Sequence, residues 1–141
     1  MGLYLCVFES PRSDEELEGV EVGGYDDFHS FRATVAERLE GGTSGSRFPV
    51  LMSHSDSDGE WSPAEAEQVR SELSVIAREL AAASPVPFIP GTWQAEVART
   101  VGLSPDSLAD CFFDIDGEAL IGRLLELANV AVAQGAPISF Q

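Results

Sequence analysis

The sequence lacks lysine altogether, and its eight basic residues are all arginine. Against them stand 24 aspartate and glutamate residues, which give a formal net charge of −16. Ten of these acids lie in residues 9–41 and seven in residues 54–79, so the charge is spread along the chain. Such a field repels nucleic acid and anionic membranes and speeds encounter with a basic partner, so we expect neither nucleic acid nor membrane as a partner. Solubility is the alternative explanation of the charge.

Cysteine and histidine are scarce as well, with two of each. Cys6 lies in an apolar run and Cys111 precedes Phe112, so both cysteines are interpreted as small buried hydrophobic residues. No apolar run approaches the roughly 18 residues that a membrane-spanning helix needs. The first residues lack the basic region of a secretory signal peptide, and we therefore expect a cytoplasmic protein.

Signatures of catalysis are also missing. The chain contains no nucleophile-elbow motif, no phosphate-binding glycine loop and no zinc-ligand spacing. His54, Ser55 and Asp56 are adjacent, so their side chains point in different directions and do not form a hydrolytic triad. We therefore predict no catalytic residue, no cofactor and no enzyme activity. A small uncharacterised enzyme stays an alternative, because some of the 24 carboxylates always lie close enough to form a pair.

Strand-forming residues occur in four places. The uncharged run Gly2–Phe8 predicts a central strand that is buried on both faces. A short strand is predicted over residues 20–22 and a terminal strand over 138–140 beside the first. A second long strand is predicted over 48–52; its proline places it at a sheet edge or makes the strand proper begin after Pro49. The polar and acidic residues 9–18 are predicted to form an exposed loop.

Apolar residues at helical spacing predict helices over residues 26–40, 92–101 and 116–134, and another that begins after Ser62. The last has the clearest start signal, a capping box of Ser62 and Glu65 with proline at the first helical position. The expected fold is therefore α+β: a single compact domain over all 141 residues, with a small, mostly antiparallel sheet covered by two or three helices. The apolar stripes can pack internally or across a dimer, which leaves a homo-oligomer open.

Part of a calcium-loop pattern begins at His54. Asp56, Asp58 and Glu65 occupy its third, fifth and twelfth positions, with a glycine at the sixth. Histidine is a poor first ligand for a hard cation, and the preceding segment is predicted as a strand rather than a helix. The capping box also explains Glu65, and a turn explains Asp58. We therefore predict no metal, and keep a calcium-binding structural or regulatory domain that uses Asp56, Asp58 and Glu65 as the alternative.

Partner-binding residues are predicted from charge and exposure. Trp61 and Trp93 each lie at a helix start, where they either pack the first turn onto the core or face a partner as an interface anchor. The acidic loop and the segment before Ser62 provide the remaining candidates. The predicted binding residues are Asp14, Glu15, Glu16, Glu18, Asp56, Asp58, Glu60 and Trp61.

Four segments together resemble a bacterial immunity-protein family of polymorphic-toxin systems, the one catalogued as immunity protein 70. They are GLYLCVF at 2–8, YDDF at 25–28, GSRFP at 45–49 and HSDSDGEWS at 54–62. The resemblance covers nearly the whole chain. It implies a small, cytoplasmic, non-enzymatic protein that neutralises a cognate toxin by tight binding and so protects the producing cell or its siblings. Such proteins are often acidic when the toxin is a basic nuclease, so we expect a basic toxin as the partner.

Overall fold

The computed structural model of the chain describes residues 2–10 and 12–141. In these residues four strands form one sheet: β1 Gly2–Phe8, β2 Glu16–Gly24, β3 Glu60–Trp61 and β4 Ile138–Phe140. The order across the sheet is β2-β1-β4-β3, and every neighbouring pair is antiparallel. The predicted central position of β1 and the predicted pairing of the terminal strand with it are confirmed.

Five α-helices complete the described fold: α1 Tyr25–Leu39, α2 Pro49–Ser53, α3 Pro63–Ala81, α4 Trp93–Val101 and α5 Leu120–Gln134. Helix α3 packs against α5, and α1 and α5 pack against the sheet, so the α+β prediction is confirmed. None of these helices, over the residues that the structure describes, is long and apolar enough to cross a membrane.

The two faces of β1 are chemically different. Leu3, Leu5 and Val7 are fully buried in the core beneath the helices. Fully burying an aliphatic side chain of this size contributes about 1.5–3 kcal/mol to the free energy of unfolding. Because side chains alternate along a strand, Tyr4 and Phe8 point to the opposite face, where both are half-buried.

Helix starts follow local signals closely in α3 and less closely elsewhere. Ser62 Oγ accepts from Glu65 N at 3.2 Å and Glu65 Oε1 accepts from Ser62 N at 3.0 Å, so the predicted capping box is confirmed. In α1 the capping carboxylate belongs to Asp27, not Asp26: Asp27 Oδ2 accepts from Gly24 N at 2.6 Å. The last helix begins at Leu120, later than predicted.

The predicted strand over residues 48–52 is wrong, because Pro49–Ser53 is the helix α2. Its first N–H groups donate to two buried glutamates, Glu72 in α3 and Glu40 directly after α1. Glu72 Oε1 accepts from Leu51 N at 2.9 Å, and Glu40 Oε2 accepts from Phe48 N at 3.0 Å. These carboxylates satisfy donors that a short helix leaves unpaired, so the local preference for a strand is overridden.

At the C-terminal end of α2, a buried arginine donates to backbone carbonyl groups. Arg32 Nη1 donates to Leu51 O at 3.3 Å and to His54 O at 2.7 Å, which satisfies carbonyls at the C-terminal end of the helix. The Arg32 guanidinium also lies 4.6 Å from the centre of the Phe28 ring. Burial lowers the pKa of Arg32, and the nearby charge of Asp56 acts in the opposite direction.

The predicted loop over residues 9–18 is also corrected, because strand β2 already begins at Glu16. Strand β2 pairs with β1 as far as Phe8, the last residue of β1: Val7 lies opposite Glu18 and Phe8 opposite Glu16. The unpaired Leu17 between them forms a bulge, which lets both glutamates keep strand pairing. Glu16 and Glu18 are therefore held by the sheet and not by a free loop.

Candidate functional site

One surface of the molecule combines exposed carboxylates with aromatic rings on the side of the sheet opposite the helices. Cross-strand partners place their side chains on the same face, so Glu16 lies beside Phe8 and Glu21 beside Tyr4. Glu60 is paired with Ser139 and shares their face, since its neighbour Trp61 points into the core. We call this surface the open face; it consists of Tyr4, Phe8, Glu16, Glu21, Glu60 and Ser139.

Tyr4 is held in place at the middle of the open face. Its hydroxyl donates to Glu16 Oε2 at 2.6 Å. The ring lies over Gly19, where a Cβ atom would collide with the Tyr4 hydroxyl and force it to move. Burial, then the hydrogen bond and charge of Glu16, raise the pKa of Tyr4 well above its ordinary value. The phenol therefore stays a neutral donor at physiological pH.

Cys6 lies beneath this surface and offers no nucleophile. The side chain is fully buried, and burial together with the charge of Glu16 raises the pKa of its thiol to about 11. A thiol must lose its proton to act as a nucleophile, so Cys6 is unreactive near neutral pH. The interpretation of both cysteines as buried small residues is confirmed, since Cys111 is buried too.

The structure brings together two acidic residues that the sequence placed far apart. A hollow of about 430 Å³ borders the open face, and Asp14 and Glu60 both line it. Phe8, Ser139 and Gln141 contribute its apolar and neutral polar walls. Arginine is absent from this lining in the part of the chain that the structure describes. The hollow is thus a concave, acidic extension of the open face.

Other predicted acidic residues point elsewhere. Glu18 is half-buried and bonds to Arg123 Nη2 at 3.1 Å, so its charge is compensated within the fold. Glu15 is exposed in the loop beside Asp14. Asp58 is exposed between α2 and β3, where its Oδ1 accepts from Ser55 Oγ at 2.9 Å. Asp56 is half-buried in the same loop, on the side of Arg32.

Trp61 is corrected from interface anchor to core residue. It is 1% exposed, and its indole Nε1 donates to Val50 O at 3.2 Å. Its ring packs edge-on against Phe140 at 4.8 Å between centroids and lies near His54. A ring with no free surface cannot serve a partner, so Trp61 joins the first turn of α3 to the core instead.

The calcium pattern does not assemble a ligand cluster. Within residues 2–10 and 12–141, no group of three or more His, Cys, Asp and Glu side chains could hold a metal ion. Glu65 uses Oε1 in the capping box of α3, and Asp58 accepts from Ser55. A helix, α2, does precede the loop, contrary to the predicted strand, but it has five residues and is shorter than the entering helix of a calcium-binding helix pair.

A second concave surface lies between the start of α1, the end of β2 and the irregular residues 86–92. This groove has a volume of about 260 Å³. Aromatic rings form much of its wall: Phe88 and Phe113 meet edge-to-face at 5.6 Å, and Trp93 and Phe113 at 5.8 Å. Ile89 projects from its rim and is 72% exposed. Sequence reasoning points to Trp93 but misses the groove, because its lining comes from stretches that are far apart in the chain, residues 22–34, 86–94 and 111–120.

Asp27 is the carboxylate in the wall of the groove. Its Oδ2 accepts from Gly24 N at 2.6 Å and from Trp93 Nε1 at 3.0 Å, while Oδ1 accepts from Gln94 Nε2 at 2.5 Å. Gly23 has φ +124°, and a Cβ atom there would lie 2.7 Å from Asp27 Oδ2 and 2.8 Å from Trp93 Cζ2. A side chain at position 23 would therefore displace the carboxylate and the indole together.

Comparison with known proteins points to one family. The profile of a family described as Immunity protein 70 matches residues 3–140. The matched range includes the open face and the groove. No curated protein and no solved structure gives a significant match to the chain.

Proposed function

The chain belongs to the Immunity protein 70 family, and from this premise we propose that it neutralises a cognate bacterial toxin by binding the toxin directly through its open face. The observation that carries the proposal is the meeting of Asp14 and Glu60, from separate segments, in one hollow beside the exposed Glu16 and Glu21. On this proposal the protein acts in the cytoplasm, by binding the toxin and not by catalysing a reaction.

The chemistry of the open face suits a protein interface. Interface hot spots favour aromatic residues surrounded by polar ones, and Tyr4 and Phe8 lie half-buried among carboxylates. The hydrogen bond from Tyr4 to Glu16 fixes its ring before a partner arrives, which lowers the ordering cost of association. The surface therefore offers rigid apolar contact at its middle and negative charge at its edges.

The charge of the open face indicates a basic toxin surface as the partner. Arg12 is exposed in the neighbouring loop, but the carboxylates of Asp14, Glu16, Glu21 and Glu60 outweigh its charge. A complementary field steers two proteins towards each other and raises the association rate by roughly 10- to 1,000-fold at low salt. Fast capture is what an immunity protein needs, because free toxin damages the cell until it is bound.

The proposal is tested by partner capture followed by a toxicity assay. The tagged protein is incubated with lysate of the source bacterium at low salt, and bound polypeptides are eluted with a salt gradient and identified. We expect a basic polypeptide whose expression alone kills cells and whose toxicity disappears when this protein is co-expressed. A captured polypeptide that remains toxic on co-expression, or that elutes independently of salt, would contradict the proposal.

A further inference from the structure

The groove holds a carboxylate, Asp27, whose hydrogen-bond donors are all neutral. It receives its three hydrogen bonds from a backbone N–H, an indole and an amide. Among the described residues, the ion pairs of the protein do not include Asp27. Each carboxylate oxygen has two lone-pair directions, and Oδ1 accepts a single bond in this structure, so the group can accept one more donor.

The walls of the groove favour a cation over a neutral guest. The faces of aromatic rings carry partial negative charge and attract ammonium and guanidinium groups. Phe88, Trp93 and Phe113 supply three such rings around the same space that Asp27 borders. A carboxylate and aromatic rings together recognise a cationic head, whereas an apolar guest would leave Asp27 with neutral donors alone in a less polar environment.

The rim of the groove favours a cation that is carried on an apolar stem. Ile89 and Val86 are 72% and 42% exposed, and both line the groove. The methylene groups of lysine and arginine cover apolar surface while their charged ends reach further. A metal ion or a small inorganic cation would bring no such stem and would leave Ile89 exposed.

The position of Asp27 is set by the backbone before any guest binds. Gly23 leaves room for the carboxylate and for the Trp93 ring, and the N–H of Gly24 aims the carboxylate. The indole of Trp93 and the amide of Gln94 hold it from the other side. Such preorganisation lowers the cost of binding, because few side chains must be ordered when the guest arrives.

From these contacts we propose that the groove is a second binding site, which takes one basic side chain, arginine or lysine, of a protein partner. The origin of that side chain rests on the proposed function: it belongs to the basic toxin that the open face also contacts. The cation preference of the groove rests only on Asp27 and the three rings. The two parts are therefore tested separately.

The first experiment needs no toxin. The chain has two tryptophans, so two indole N–H signals appear in a proton–nitrogen NMR spectrum: Trp93 at the groove and Trp61 in the core. Titration with N-acetyl-arginine amide should shift the Trp93 signal in a saturable way, with a dissociation constant on the order of 1 mM as for a single side-chain contact. N-acetyl-citrulline amide has nearly the same shape without the charge and should bind at least about tenfold more weakly. The Trp61 signal should not move.

The matched variants are Asp27→Asn and Asp26→Asn, which remove one charge from neighbouring positions of α1. Asp26 is exposed and is not part of the groove. In D27N the introduced amide keeps an oxygen for the N–H of Gly24, and an unchanged Trp61 signal reports that the variant has folded. We expect the arginine probe to bind D26N as it binds the wild type, and D27N about tenfold more weakly. The proposal would be overturned if the arginine and citrulline probes bound the wild type equally well, a result that needs no variant. It would also be overturned if the arginine probe bound D27N as tightly as it binds the wild type.

The second experiment separates this inference from the proposed function. Affinity of the captured toxin is measured for the wild type, D26N and D27N. A loss of about tenfold in D27N alone is expected. Equal affinity of all three would overturn the groove as a toxin contact while leaving binding through the open face intact. If no toxin exists, the proposed function fails, and the probe titration still decides whether the groove binds a cation.

Discussion

Glu72 lies inside the fold and Glu60 lies on the open face, although both are glutamates of one acidic chain. Glu72 is 6% exposed, and its two oxygens accept from the backbone N–H groups of Val50 and Leu51. Glu60 is exposed, and none of the ion pairs among the described residues involves it. The first carboxylate holds the local backbone, and the second faces solvent.

The comparison shows that the carboxylates behind the charge of −16 lie in two different environments. Glu40 repeats the behaviour of Glu72, since it is equally buried and accepts from three backbone N–H groups in residues 45–48. Glu21 repeats that of Glu60. The net charge alone therefore overstates the number of negative charges on the surface, because Glu40 and Glu72 are buried and accept hydrogen bonds from α2 and the loop before it.

Glu72→Ala should cost the most stability. The change leaves the N–H groups of Val50 and Leu51 without acceptors in a buried place, so the free energy of unfolding should fall by about 2–4 kcal/mol. Glu67→Ala, at an exposed position of the same helix, is the control and should change it by less than about 0.5 kcal/mol. Denaturant unfolding of both variants measures the difference. Equal effects would show that the buried carboxylate does not stabilise α2.

Arg123→Met tests a group of carboxylates that ranges from buried Asp114 to exposed Glu118 and Glu126. Arg123 makes ion pairs with Glu18, Asp114, Glu118 and Glu126, and without it these like charges face one another. We expect a loss of about 1–3 kcal/mol in the free energy of unfolding at pH 7. The loss should shrink in about 1 M salt, where charges are screened within roughly 3 Å. A loss that is independent of salt would assign the effect to packing of the arginine stem.

The buried thiol predicts how stability depends on alkaline pH. The pKa of Cys6 is raised from 9.0 to about 11 in the folded protein, so the folded state keeps a proton that the unfolded state releases. Stability from this group is therefore fully present below pH 9 and is lost as the pH rises towards 11, by roughly 1–2 kcal/mol. Cys6→Ala should reduce the slope of stability against pH in this range. Tyr4, with its raised pKa, adds a slope of the same sign that the variant leaves in place.

Neutralising the open face should have the smallest effect on stability. The triple variant Glu16→Gln, Glu21→Gln, Glu60→Gln removes exposed charges and keeps an acceptor for the Tyr4 hydroxyl. The free energy of unfolding should change by no more than about 0.5 kcal/mol. Thermal and denaturant unfolding check this. A loss near that of Glu72→Ala would erase the distinction between the two kinds of carboxylate.

The parts of the fold that the sequence predicted correctly carry their signals locally. The run of strand formers in β1, the capping box of Ser62 and Glu65, and the stop of α4 at Gly102 each lie within a few residues of the element concerned. Such signals can be interpreted without knowledge of the tertiary contacts.

The parts that were mispredicted depend on distant residues. Helix α2 is capped by Glu40, Glu72 and Arg32, which lie 8 to 22 positions from the backbone groups that they bind. No local sequence pattern predicts these contacts. The open face and the groove, which we propose as binding surfaces, depend on distant residues in the same way. Sequence reasoning selected Asp14 and Glu60 for their charge, but only the pairing of the strands shows that both border one hollow. The burial of Trp61 likewise follows from packing against Phe140.

The association rate of the toxin at low salt shows whether the open face captures it. It is measured for the wild type, for the open-face triple variant, and for a control that removes equal charge from exposed positions elsewhere, Glu37→Gln, Glu67→Gln and Asp106→Asn. We predict that the open-face variant associates about tenfold more slowly, that the control changes less than about twofold, and that the differences vanish at high salt. Equal slowing of both variants would mean that the total charge, and not the open face, captures the toxin.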